Sequence, residues 1–158
     1  MNLDIFKNKN KFLMLALDHR GSFKKFIDKE NPESVSDIKA IEIKKEIITS
    51  LANQFSGLLI DPKFGLPAYE NKIKPFLLCI EKTGYSDESG ERVTELEYNI
   101  DELKKMGASG IKLLIYFNPK STVNDQQLET TKKVLNDCQQ NNLPLFLEIV
   151  TYGNEELG

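Results

Sequence analysis

The sequence has few of the residues that hold metals or form disulfides. Its 158 residues include two cysteines, Cys79 and Cys138, and one histidine, His19. Both cysteines lie in apolar or helical segments and far from any C-x-x-C spacing, so we expect two reduced, packed thiols. Because zinc needs several cysteine, histidine or carboxylate ligands, this sequence offers almost no ligands for a zinc site. We therefore predict neither a metal nor another cofactor.

Long apolar runs and basic clusters are also absent. No segment approaches the roughly 18 continuous apolar residues of a membrane span, and the start, MNLDIFKNKNK, lacks the apolar run of a secretory signal. We expect a soluble, cytoplasmic protein. The 21 Lys and Arg residues against 24 Asp and Glu give a net charge of -3, and no five- or six-residue window is strongly basic. We therefore expect neither nucleic acid nor a membrane as a partner.

No repeat, low-complexity tract or Gly/Ser linker divides the chain. The hydrophobic content of 40% is enough for a sizeable core. We predict that residues 1–158 form a single domain without an internal boundary.

Short apolar runs alternate with segments of helical periodicity. Residues 36–55 read as an amphipathic helix, and Thr94 with Glu97 has the spacing of a capping box for a second helix that ends at Gly107. A third helix is predicted around residues 128–138. Residues 66–72, between the second and third strands, are long enough for only a short crossover. Five strands are predicted, at residues 12–17, 58–60, 76–80, 111–116 and 145–150. This alternation predicts a parallel sheet with right-handed crossovers.

Such an order fits either an open nucleotide-binding sheet or part of a (β/α)₈ barrel. The turn after the first strand, Asp-His-Arg-Gly-Ser, has one glycine, and neither G-x-G-x-x-G nor a Walker-type loop occurs. Ionisable groups lie instead at or near the ends of all five strands, as on the catalytic rim of a barrel. They are Asp18, Asp61, Glu81 with Lys82, Lys112 and Glu148.

Lys112 and Glu148 stand out because each lies within an otherwise apolar strand. An unpaired charge there costs several kcal/mol, so a paired, functional role is favoured. Asp61 precedes a proline, and a capping role in the following turn is the simpler interpretation. His19 is either a loop residue held by hydrogen bonds or part of the site, and Arg20 is either solvated or part of the site.

Five motifs together resemble the tagatose-1,6-bisphosphate aldolase family of class I aldolases, and their order and spacing match over nearly the whole chain. The resemblance implies a TIM barrel, here a partial one of about five βα units, since a whole barrel needs about 250 residues. The motifs are LALDHRG at 15–21, LLIDPKFGLPA at 58–68, EKTGY at 81–85, GIKLLIY at 110–116 and FLEIVTY at 146–152.

The family resemblance also implies catalytic residues. In the family, a lysine on strand six forms a Schiff base with the keto sugar phosphate, and residues matching Asp18, Lys112 and Glu148 assist. The strand-six lysine and the phosphate loops after strands seven and eight have no counterpart in residues 1–158. We therefore expect an incomplete aldolase, inactive alone, that takes a sugar phosphate such as tagatose 1,6-bisphosphate.

We assign roles from the chemistry of class I cleavage, which uses a protonated imine as the electron sink. A nearby carboxylate keeps Lys112 protonated, so it is a poor nucleophile and acts as a fixed positive charge. Glu148 is the predicted general acid and base. Candidate substrate-binding residues are His19, Arg20 and Lys82.

Three alternatives remain open. Asp-His-Arg-Gly-Ser-Phe, with His19 where the family usually has glutamine, is similar to the barrel domain of some sugar kinases of inositol breakdown. A second interpretation is a non-catalytic sugar-phosphate-binding or scaffold protein, and a third is another lyase or isomerase assembled from two chains. Exposed sheet edges predict a homo-oligomer, or a segment beyond residue 158 that covers them.

Overall fold

The computed structural model describes residues 2–88 and 90–153, with the backbone alone for residues 86–88. The described residues fall into two compact units, Asn2–Cys79 and residues 80–153. The prediction that residues 1–158 form one domain stays a prediction. No helix within the described ranges is long and apolar enough to cross a bilayer.

The first unit contains a three-stranded parallel sheet. Its strands pair in the order β3, β4, β5, with Met14 opposite Gly57 and Leu58 opposite Phe76. A short β1–β2 hairpin precedes them. The elements are β1 (Lys7–Asn8), β2 (Lys11–Phe12), β3 (Met14–Leu17), α1 (Gly21–Ile27), α2 (Asp37–Ser50), β4 (Gly57–Ile60), α3 (Gly65–Ala68) and β5 (Phe76–Cys79).

The burial of these elements follows the sequence pattern. Every residue of β5, and all but one of β4, are buried, as expected of parallel strands covered on both faces. Helix α2 begins after Ser36, whose hydroxyl accepts a hydrogen bond from the Lys39 N–H at 3.1 Å. It ends at Ser50, five residues before the predicted end. The crossover to β5 contains only the four-residue α3, in agreement with the short connection predicted.

The second unit contains a parallel pair of long strands. Along β8 and β9, Ile111 is opposite Leu145 and Leu114 is opposite Glu148. Strands β6 and β7 form a separate antiparallel hairpin. The elements are β6 (Ser86–Glu88), β7 (Glu91–Val93), α4 (Ile100–Lys105), β8 (Gly110–Phe117), α5 (Asn124–Gln140) and β9 (Leu145–Thr151).

The predicted capping box at Thr94 is wrong. The helix begins at Ile100, and its capping box is formed by Asn99 and Glu102, each side chain accepting from the other's backbone N–H at 2.8–2.9 Å. Leu96 forms an antiparallel bridge with Glu81, which keeps this segment extended. The hydroxyl of Thr94 is buried and has no hydrogen-bond partner among the described residues.

The end of the same helix agrees with the prediction. Gly107 has φ +94°, a left-handed conformation that glycine adopts without steric cost. Its N–H donates to the Lys104 carbonyl at 2.9 Å. Cys79 and Cys138, predicted as packed thiols, form no disulfide with each other and are fully buried. Burial raises the pKa of Cys138 to about 11.

Candidate active site

In the second unit, a buried lysine on β8 lies between two carboxylates. The Nζ atom of Lys112 is 2.7 Å from Glu81 Oε1 and 2.9 Å from Glu148 Oε2. The side chains of Lys112 and Glu81 are 5% and 7% exposed, whereas that of Glu148 is 50% exposed. The structure thus brings together the predicted pair, Lys112 and Glu148, and leaves one carboxylate open to solvent.

Strand register accounts for this contact. Leu114 on β8 is directly opposite Glu148 on β9. Side chains alternate between the two faces of a strand, so Lys112 shares a face with Leu114 and lies diagonally from Glu148. The pairing of β8 with β9 therefore places an ammonium beside a carboxylate on an otherwise apolar surface.

Glu81 was noted at a strand end but not assigned to the predicted site. Its Oε1 accepts from Lys112 Nζ, and its Oε2 accepts from the Leu114 N–H at 3.2 Å. With both oxygens occupied, Glu81 is suited to orient Lys112 and to offset its charge. The sequence signal was a glutamate directly after a buried strand, the same signal that identified Asp18.

Lys82 has another partner. Its Nζ is 2.8 Å from Glu95 Oε2, and both side chains are about half exposed. This hydrogen bond raises the pKa of Lys82 above its ordinary value. The assignment of Lys82 to substrate binding stays a prediction.

The other predicted site residues lie in the first unit, directly after β3. The side chain of Asp18 is 15% exposed, and its Oδ1 is 3.9 Å from Nδ1 of the exposed His19. The ring of His19 meets the edge of Phe26, with centroids 6.2 Å apart. Arg20 precedes α1, and its carbonyl accepts from the Phe23 N–H at 3.1 Å.

A buried lysine that sequence reasoning missed holds this loop. Lys44, on α2, is fully buried and donates from Nζ to the carbonyls of Leu17 and His19 at 2.6 and 2.7 Å. Its third hydrogen bond is to Asp61 Oδ2 at 2.5 Å. The two carbonyls flank Asp18 in the chain, so Lys44 fixes the backbone on both sides of that residue.

Asp61 completes the buried cluster. Its carboxylate accepts from Lys44 and from the backbone N–H groups of Phe64 and Gly65, at 2.6 and 3.0 Å. The predicted capping role is confirmed, and it is combined with a fully buried ion pair. Burial lowers the pKa of Lys44, and the charge and hydrogen bond of Asp61 oppose that shift. The aromatic faces of Phe23 and Phe64, 4.9 and 5.9 Å from Nζ, further favour the cation.

The triad of Glu81, Lys112 and Glu148 can stabilise negative charge and transfer a proton. Its ammonium can stabilise a developing oxyanion, and the exposed carboxylate of Glu148 can exchange a proton with a bound molecule. Among the side chains that the structure describes, in residues 2–85 and 90–153, no three His, Cys, Asp or Glu residues are grouped as a metal site.

Solved aldolase structures share this fold. An archaeal fructose 1,6-bisphosphate aldolase has a TM-score of 0.60 and 21% identity, over 92% of this chain and 54% of that one. A second structure of an archaeal fructose-1,6-bisphosphate aldolase, with its catalytic lysine covalently bound to the carbinolamine intermediate, has a TM-score of 0.57 and 19% identity over the same shares. The predicted α/β class, a partial TIM barrel of about five βα units, is confirmed.

The sequence identifies the family. Residues 12–157 match the DeoC/LacD family aldolase. The tagatose 1,6-diphosphate aldolase of Staphylococcus aureus (strain bovine RF122 / ET3-1) is 32% identical over 144 residues, which are 87% of this chain and 44% of that enzyme. The chain therefore belongs to the DeoC/LacD aldolase family, and it spans less than half the length of the curated relatives it matches.

Proposed function

We propose that this chain provides the acid–base part of a class I aldolase site. The reaction is cleavage of a ketose bisphosphate such as tagatose 1,6-bisphosphate to dihydroxyacetone phosphate and an aldehyde. The supporting observation is the contact between Lys112 and the half-exposed Glu148, in a chain of the DeoC/LacD family. A cytoplasmic location is part of the same proposal.

Glu148 is the residue that moves protons in this proposal. As a base it removes the proton from the hydroxyl that becomes the aldehyde oxygen, while the carbon–carbon bond breaks. The electron pair of that bond moves into a protonated imine, and the resulting carbon later regains a proton from the acid form of Glu148. Lys112 stays an ammonium that stabilises substrate oxygens, and Glu81 keeps it in position.

The imine itself requires a lysine outside residues 1–158. The two carboxylates beside Lys112 favour its ammonium form, which has no lone pair for attack on a carbonyl. The archaeal relative with its carbinolamine intermediate uses a catalytic lysine. We propose that Asp18 assists the reaction and that His19, Arg20 and Lys82 contact the substrate.

Borohydride trapping with dihydroxyacetone phosphate tests this assignment. The two samples are the 158-residue chain and a fusion that continues it with the remaining part of the Staphylococcus aureus tagatose 1,6-diphosphate aldolase. We expect covalent labelling of the fusion, on a lysine outside residues 1–158, and no labelling of the chain alone. A label on Lys112 in either sample would contradict the proposal.

The role of Glu148 is tested by turnover of the same fusion. We expect Glu148→Gln to lower kcat by about 10²- to 10⁴-fold, the usual contribution of a general acid–base, with labelling retained. The matched control is Glu129→Gln, an exposed glutamate paired with Lys132 on α5, which should leave kcat unchanged. Full activity of the Glu148 variant would remove it from the mechanism.

A non-catalytic sugar-phosphate-binding function is the second candidate. It is favoured by the double ion pair of Lys112, which commits that amine to two carboxylates. Binding of tagatose 1,6-bisphosphate by the chain, with neither labelling nor turnover in the fusion, would support this candidate over the aldolase.

A further inference from the structure

The guanidinium of Arg92 lies among three tyrosine rings. It lies on β7, and its guanidinium carbon is 4.7, 5.0 and 5.9 Å from the ring centroids of Tyr85, Tyr152 and Tyr116. Tyr85 and Tyr116 also pack edge to face, with centroids 4.9 Å apart. Three rings from separate segments therefore surround one guanidinium.

Among the residues whose side chains the structure describes, no anion is paired with the charge of Arg92. Among the described residues, its guanidinium forms no salt bridge and donates no hydrogen bond, although the side chain is only partly exposed. A guanidinium has five N–H donors, all directed outward in its plane. Aromatic contacts stabilise the positive charge but leave those donors available. The N–H donors of Arg92 can therefore bind a planar or tetrahedral oxyanion.

The backbone of Arg92 is held on both sides. Its N–H donates to the Tyr152 hydroxyl at 3.3 Å, and its carbonyl accepts from Gln127 Nε2 at 3.2 Å. The preceding Glu91 accepts hydrogen bonds from the hydroxyls of Tyr152 and Ser121. These contacts tie β7 to the ends of β8 and β9. The guanidinium is therefore preorganised, which reduces the entropic cost of binding a ligand.

Arg92 lies on the same side of β8 as the triad. Tyr116 is four residues after Lys112 on that strand, so the two side chains share a face. Burial raises the pKa of Tyr116, and the nearby charge of Tyr85 adds to this, whereas the positive charges of Arg92 and Lys112 act in the opposite direction. The phenol of Tyr116 thus lies within electrostatic range of both cations.

We propose that Arg92, held by Tyr85, Tyr116 and Tyr152, binds a phosphate group of the ligand whose other end reaches Lys112 and Glu148. This inference rests on the proposed sugar-phosphate site and names the residue that recognises an anionic group. Paired N–H donors of a guanidinium match two phosphate oxygens, a geometry that a lysine ammonium does not reproduce.

Titration of the chain with dihydroxyacetone phosphate, and with neutral dihydroxyacetone as the uncharged probe, tests the inference. Affinity is measured by calorimetry, and the Arg92 side-chain N–H signal is followed by ¹H–¹⁵N NMR. We expect Arg92→Gln to weaken dihydroxyacetone phosphate binding at least tenfold without changing dihydroxyacetone binding. Arg92→Lys should give an intermediate loss, and the control Lys105→Gln, an exposed cation on α4, should give none.

The outcomes separate this inference from the proposed function. Equal affinities of the wild-type chain and Arg92→Gln for dihydroxyacetone phosphate would overturn the Arg92 site and leave the sugar-phosphate site in place. Failure of the wild-type chain to bind dihydroxyacetone phosphate would also overturn the Arg92 site, whereas the acid–base role of Glu148 is decided separately by turnover of the fusion. A loss that extends equally to dihydroxyacetone would show that Arg92 only shapes the hairpin, and would also overturn the inference.

Discussion

At the scale of single residues, the Lys44–Asp61 pair has the largest expected effect on stability. Lys44→Met leaves the Asp61 carboxylate buried without its cation, which typically costs about 3 to 5 kcal/mol. Lys44→Met combined with Asp61→Asn should recover part of that loss, because the asparagine carries no charge. Urea unfolding of both variants measures the difference. Equal loss in the single and double variants would show that the charge on Asp61 is not the cause.

The pKa of Glu91 gives a second prediction at this scale. Hydrogen bonds from Ser121, the Thr122 N–H and Tyr152 lower it from 4.5 to about 2. Because the folded-state value is the lower one, these bonds contribute stability above pH 4.5 that is lost as the pH falls towards 2. We expect Ser121→Ala to raise the pKa more than Tyr152→Phe, in a ¹³C NMR titration of the carboxyl carbon. The reverse order would contradict the assignment of Ser121 as the main cause.

Residues that were missed share one property: their role depends on partners distant in the chain. Lys44 lies in an amphipathic helix among Lys and Glu residues, where a lysine normally faces solvent. Its burial is decided by acceptors from residues 17, 19 and 61, which no local pattern reveals. Lys112 could be recognised from the sequence as a functional residue, because a charged side chain is unusual within an apolar strand such as β8.

At the scale of secondary structure, the start of α4 gives a test of capping. Asn99→Ala removes the side-chain acceptor of the capping box and should cost about 1 kcal/mol. Thr94→Val should be neutral or stabilising, because no described residue forms a hydrogen bond with the buried Thr94 hydroxyl. Thermal unfolding of the two variants provides the comparison. A larger loss for Thr94→Val than for Asn99→Ala would restore the capping box predicted from the sequence.

Strands were predicted more closely than hairpins, for a physical reason. The parallel strands are runs of mostly apolar residues, and β4, β5, β8 and β9 begin and end within one residue of the prediction. Strands β6 and β7 are three residues each, and their sequence is polar. Hydrogen bonds of Glu91, rather than an apolar pattern, hold this hairpin to the rest of its unit.

At the scale of the whole molecule, β9 makes self-association the expected behaviour. Within the described residues it pairs only with β8, and Leu147 and Ile149 are 43% and 56% exposed. An apolar edge strand promotes association. Sedimentation velocity should therefore show concentration-dependent oligomers, reduced by Ile149→Lys but not by the control Ile38→Lys on α2, which is also exposed. A monomer at all concentrations would contradict this expectation.

The ammonium of Lys44 on helix α2 is bonded to the loop that carries Asp18. Its bonds to the carbonyls of residues 17 and 19 can break only if the charge enters water together with the helix. Detachment of the loop is thereby coupled to the loss of helix docking, so the backbone of residues 17 to 19 should open only together with the helix. The segment before α1, a surface connection by its position in the chain, would then be as rigid as the core.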